Sequence, residues 1–218
     1  MLKENPMLLL PALVYQVGYT WLALNLTSIF SVKDTSASQI ALANTGAYLT
    51  SVFVNLAMLT IFGLLMGPII NGAYPLMVRN LTERKRLGIV DALKGSASKY
   101  FSILGSQMLV GFLVLVGALL VVVPGLIIYT WYYYVIPSIM LDKRGALDGM
   151  RASKAFGRSR KWKTFLLILI GEAIVVVGIG IKSMIASSSV GTIITGIFAT
   201  LTLTITLIMA SHAYIKYR

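Results

Sequence analysis

Glu172 is the one carboxylate set well inside an apolar run of this 218-residue chain. A carboxylate at such depth either lies on a proton or cation path or stays neutral and hydrogen-bonded as a strut between helices, because an unpaired charge in hydrocarbon is costly. Counted at about 1.5 Å per helical residue from the start of its run, Glu172 lies roughly 12 to 13 Å deep. The same count puts Gln16, Asn71 and Gln107 at similar depth in three other runs, so the four form an expected polar layer. Both the path and the strut remain open for that layer.

Other chemistry is sparse. There is no cysteine, which excludes disulfides, thiolate metal sites and cysteine nucleophiles. The single histidine, His212, sits near the end of the last run and cannot support a His-based triad or metal cluster. Neither G-x-x-x-x-G-K-[ST] nor H-E-x-x-H occurs. The sequence therefore predicts no enzyme, no cofactor and no metal. The aromatic run Tyr129, Trp131, Tyr132, Tyr133 and Tyr134 carries hydroxyls that need partners or water, either lining a cavity or packing and anchoring a helix.

The elements holding these residues are apolar helices. Hydrophobic residues make up 57%, charged residues 12%, and mean hydropathy is +0.84, beyond the balance of a soluble chain. Crossing a hydrocarbon core about 30 Å thick takes roughly 20 helical residues. Six runs approach that length, at about 7–30, 48–78, 100–123, 126–141, 164–181 and 190–214, in one domain covering 1–218. The predicted fold is an all-α integral membrane bundle of six transmembrane helices. Lys3 and the following apolar stretch imitate a secretory signal, but without an A-x-A-like site the stretch reads as a retained first helix, with Asn5-Pro6 at its start. Gly67-Pro68 and Pro75 predict kinks in the long second run, Pro68 freeing the carbonyl of Leu64. Pro124-Gly125 marks a turn between the third and fourth. Gly63 and Gly67 share the GxxxG spacing of close helix approach, as a weak signal.

Basic residues set the orientation. In the six-span arrangement all 19 Lys and Arg except Lys33 and Lys182 fall on one side, which the positive-inside rule makes cytoplasmic, together with both termini. The two cytoplasmic segments resemble each other: Gly88-Ile-Val-Asp91-Ala-Leu-Lys94-Gly-Ser96 and Gly145-Ala-Leu-Asp148-Gly-Met-Arg151-Ala-Ser153 share G-x-x-D-small-apolar-basic-small-S. They predict a parallel helical-hairpin repeat with two short interfacial helices. In each, the aspartate pairs with the basic residue three later, and Ile89, Val90 and Leu93, or Leu147 and Met150, face the bilayer.

Val123-Pro124-Gly125-Leu-Ile-Ile-Tyr129, Tyr134-Val-Ile-Pro137, Leu141-Asp142 and the Gly145-to-Ser153 stretch with Trp162 downstream resemble the membrane domain fused to some bacterial glycerophosphodiester phosphodiesterases and its stand-alone prokaryotic relatives. The resemblance implies a six-helix membrane domain in a prokaryotic plasma membrane and no activity. The phosphodiesterase chemistry belongs to a soluble domain that is not among these residues.

The charge of +12 in short segments between apolar runs points to anionic lipid headgroups and not to nucleic acid. Arg84, Lys85, Arg86, Lys94, Arg151, Arg158, Arg160 and Lys161 are the expected headgroup contacts. The expected function is a non-enzymatic membrane protein engaging anionic lipid, a second copy or another membrane protein through this face. The alternative is a small transporter or channel for protons, cations or small solutes, with its path near Glu172.

Overall fold

A computed structural model describes residues 5–30, 45–85, 88–120, 122–184 and 188–218. Lys3, the polar stretch from Lys33 to Gln39, Arg86 and Ser187 lie outside the described residues. After a 3-10 turn, Pro6–Leu9, come α1 (Leu10–Phe30), α2 (Thr45–Thr82), α3 (Ile89–Ala97), α4 (Tyr100–Leu120), α5 (Val122–Tyr132), α6 (Val135–Leu141), α7 (Ala146–Ser159), α8 (Lys161–Ser183) and α9 (Ser188–Tyr217). Five of them, α1, α2, α4, α8 and α9, are long and apolar enough to cross a membrane.

The fourth apolar run departs from the expected continuous span at 126–141. It forms two helices of 11 and 7 residues, α5 and α6, separated at Tyr133-Tyr134. α5 alone rises about 16 Å, roughly half the hydrocarbon thickness. Pro137 supplies the local cause. Its ring would collide with the Tyr133 carbonyl in a continuous helix, whereas in the first turn of α6 its missing N–H leaves no gap. Pro124 occupies the first turn of α5 in the same way, so the helix boundary falls before Pro124-Gly125. Across that boundary Gly117 and Gly125 bring the α4 and α5 backbones together: a Cβ on Gly117 would lie 3.1 Å from the Gly125 Cα.

α2 keeps 38 residues in one helix despite Pro68 and Pro75. The carbonyl that Pro68 frees, at Leu64, accepts a hydrogen bond from the Tyr100 hydroxyl at 3.0 Å. The Pro68 carbonyl itself accepts one from Ser96 Oγ at 3.1 Å. Tyr100→Phe should therefore cost about 1 kcal/mol, because it deletes a donor and keeps the ring. A thermal unfolding midpoint in micelles equal to that of the native protein would refute this role for Tyr100.

Packing divides the bundle into two zones. Buried apolar side chains gather at the end richest in Lys and Arg: Leu8 and Ala12, residues 70–78 of α2, Ala92, Ile103, α6, Met150, and Ile208 to Tyr214 of α9. Toward the other end the same helices expose large apolar residues, among them Phe53, Ile61, Leu115, Leu119, Val176, Ile193 and Ile197. Apolar surface on that scale suits a hydrocarbon solvent, in which a helix face gains nothing from burial.

Candidate functional site

α3 and α7 form as helices, but their expected apolar faces need correction. Ala92 and Ser96 of α3 are buried, and Ile89 and Leu93 pack on the α1–α2 core; Val90 alone of the expected trio is exposed. On α7 the buried residues are Gly149, Met150, Ser153 and Gly157, with Leu147 exposed. Residues 149, 153 and 157 recur every four positions and so lie along one helical face. That face of small residues seats α7 against the α5–α6 break. A Cβ on Gly157 would stand 2.8 Å from the Trp131 carbonyl oxygen, and Ser138 Oγ donates to the Gly149 carbonyl at 2.8 Å.

Ser153 closes the break itself. Its hydroxyl donates to the Trp131 carbonyl at 3.0 Å and accepts from the Tyr134 backbone N–H at 3.2 Å. Ser96 plays the corresponding part on α2 through the Pro68 carbonyl. The approaches to α3 and α7 are alike too: Arg84 and Lys143 both take left-handed backbone, with φ of 55° and 56°, ahead of the N-caps Gly88 and Gly145. Asp148 pairs with Arg151 at 3.5 Å as expected, whereas the Asp91 carboxylate lies against Gly88.

The basic end is stapled by Asp142, whose side chain is 18% exposed. Its carboxylate accepts from the Tyr214 hydroxyl at 2.6 Å and from Arg218 at 2.7 Å, with Arg144 at 3.3 Å. Glu83, at the end of α2, accepts from Lys85 at 2.8 Å. That hydrogen bond, with the charges of Lys85, Arg79 and Arg218, holds its carboxyl below the usual carboxylate range. The pairing is thus present above the ordinary carboxylate pKa and is lost as pH falls through the lowered one.

Of the expected headgroup contacts, Arg84, Lys85, Lys94, Arg151 and Arg158 are exposed, and Arg160 stacks on Phe156 and Tyr217 at 4.6 and 4.8 Å to the ring centroids. Two cations converge on Trp131. Arg158 lies 5.0 Å and Lys154 5.3 Å from its ring centroid. Trp131 in turn heads a groove of about 500 Å³ between α5 and α8, lined by Val123, Leu126, Ile127, Thr130, Phe165, Lys161 and Trp162. Trp162 is 75% exposed. Sequence reasoning missed Lys154, which it counted only toward orientation; the tryptophan two residues before the break was the available signal.

The polar layer separates into three places. Asn71 and Gln107 share a cavity of about 370 Å³ with Ser106, Tyr129, Tyr132, Tyr133 and Thr206, beside the α5–α6 break. Gln16 lies apart, between α1 and α9, and donates to Thr20 Oγ1 at 3.1 Å. Glu172 is exposed on α8, close enough to Tyr129 to act on it electrostatically but not among the residues lining the cavity. His212 Nδ1 is buried and has no partner among the described residues. Of the GxxxG pair, a Cβ on Gly63 would lie 3.5 Å from the Tyr15 hydroxyl and one on Gly67 would face open space, so the pair makes no tight helix contact. Among the described residues no cluster of His, Cys, Asp and Glu could hold a metal. No protein-family model, curated protein or solved structure matches the chain.

Proposed function

We propose that this chain is a non-enzymatic membrane protein that holds an anionic phospholipid in the groove between α5 and α8. One observation carries the reading: an apolar trough ends at two tryptophans and Lys161, and Lys154 and Arg158 stand against the ring of Trp131, one of those tryptophans. An acyl chain matches the trough. A phosphate headgroup matches the three cations, each worth about 1 kcal/mol near an anionic surface. Tryptophan favours the same interfacial level, where one side of the ring is apolar and the other wet.

In this reading the broken α5–α6 run completes six crossings, the positive-inside rule puts the basic end and both termini in the cytoplasm, and the family resemblance points to a prokaryotic plasma membrane. The shared geometry of the segments entering α3 and α7 supports a duplicated helical-hairpin unit.

The test is lipid retention by native mass spectrometry, with phosphatidylglycerol and phosphatidylcholine competing at equal concentration. The native protein should retain phosphatidylglycerol selectively. The triple variant Lys154→Gln, Arg158→Gln, Lys161→Gln should lose that preference by roughly tenfold to a hundredfold, the effect of two to three headgroup cations. Unchanged selectivity in a folded triple variant would sink the proposal.

A further inference from the structure

We propose that the cavity between α2, α4, α9 and the α5–α6 break is a hydrated binding site for a small uncharged solute rich in hydroxyl groups. This site is separate from the lipid groove and does not depend on it.

The first argument is hydrogen-bonding capacity. Asn71 and Gln107 each present a carboxamide with two N–H donors and a carbonyl acceptor, and Tyr129 and Tyr132 each present a phenol. Ser106 and Tyr133 already donate, to the Ile103 carbonyl at 2.8 Å and the Thr206 carbonyl at 3.2 Å, and have only acceptor capacity left. Polar groups inside a membrane bundle that lack protein partners take water or solute, since leaving them bare costs several kcal/mol. At about 30 Å³ per water the cavity holds roughly a dozen waters, or a polyol of similar heavy-atom count. Three tyrosine rings offer apolar faces for its C–H surface.

The second argument is charge. Among the described residues no acidic or basic side chain lines this cavity. Broken helices can hold cations through freed backbone carbonyls, but here the Trp131 carbonyl at the break is taken by Ser153. An ion entering the cavity would exchange its hydration shell for neutral amides and phenols, whereas a polyol exchanges hydrogen bonds one for one.

The natural chain has no cysteine, so Val114→Cys, on the cavity wall, carries a single thiol and keeps every polar group of the site. Val110→Cys, also on the wall, serves where the first variant fails to fold. Both are placed in phosphatidylcholine nanodiscs and treated with neutral hydroxyethyl methanethiosulfonate or its cationic trimethylammonium counterpart. Rates are normalised to Ser98→Cys, exposed at the end of α3, and compared with Leu115→Cys on the outer face of α4. The neutral reagent should modify the cavity thiol well above the Leu115→Cys rate, the cation should react roughly tenfold more slowly, and erythritol should protect against the neutral reagent. A cavity thiol as inert as Leu115→Cys would show a dry packing void. Equal normalised rates for the two reagents would show a path open to ions, and absence of protection by erythritol would show water without a solute site. Each of these three results overturns the proposal.

Discussion

Replacing Gly157 with leucine should abolish the native fold. A Cβ there would stand 2.8 Å from the Trp131 carbonyl oxygen, 2.9 Å from the Trp131 Cα and 3.0 Å from the Thr130 carbonyl oxygen. All three are backbone atoms held by α5, so no rotamer change relieves the clash, and α7 must lift off the break. Overpacking of this kind costs typically 1–3 kcal/mol for side-chain neighbours, and about 3 kcal/mol or more is expected where backbone must move. Even Gly157→Ala should be markedly destabilised. Gly67→Ala and Gly105→Ala are the controls. Both positions lie within helices with nothing near the added methyl, and alanine should be neutral or stabilising by about 0.5–1 kcal/mol. Recovery of monodisperse protein after heating ranks the set, and a Gly157→Leu protein that melts with the native one would disprove the close seating of α7.

Ser153→Ala carries the second large effect. The side chain is fully buried, and its hydroxyl serves the Trp131 carbonyl and the Tyr134 N–H together. Removing it strands two backbone groups at about 1–3 kcal/mol each. Ser96→Ala removes one hydrogen bond to a Pro68 carbonyl that keeps the Gly72 N–H inside α2, and should cost less, about 1 kcal/mol. Chemical denaturation in mixed micelles measures the ratio. Equal losses for the two serines would mean that the Tyr134 N–H is satisfied without Ser153.

Most helix positions were legible because an apolar run is long for one reason, the thickness of the solvent it crosses. The complete break ahead of Pro137 was not legible, and the run read as one span at 126–141. Whether a proline bends a helix or divides it depends on what satisfies the backbone groups around it, and Ser153 comes from a segment that follows later in the chain. The packing face of α7 was misread for a related reason. Hydropathy draws the eye to Leu147 and Met150, whereas Gly149, Ser153 and Gly157 score as near neutral and pack through closeness of backbone. Counting residues along a helix gave the four polar residues similar heights but no bearing around the axis. Asn71 and Gln107 turned inward to one cavity, and Glu172 on a peripheral helix did not.

The seating of α7 has a consequence for how the chain is made. Until residue 157 has left the ribosome, the Trp131 carbonyl and the Tyr134 N–H have no partner, and α5 with α6 is a poor candidate to rest in lipid. The fourth run must therefore wait within or beside the insertion machinery, and the hairpin of α4 and α5 is released only when the following segment arrives. A nascent chain arrested once residue 145 has emerged from the ribosome should remain crosslinkable to that machinery, and one arrested once α8 has emerged should have left it.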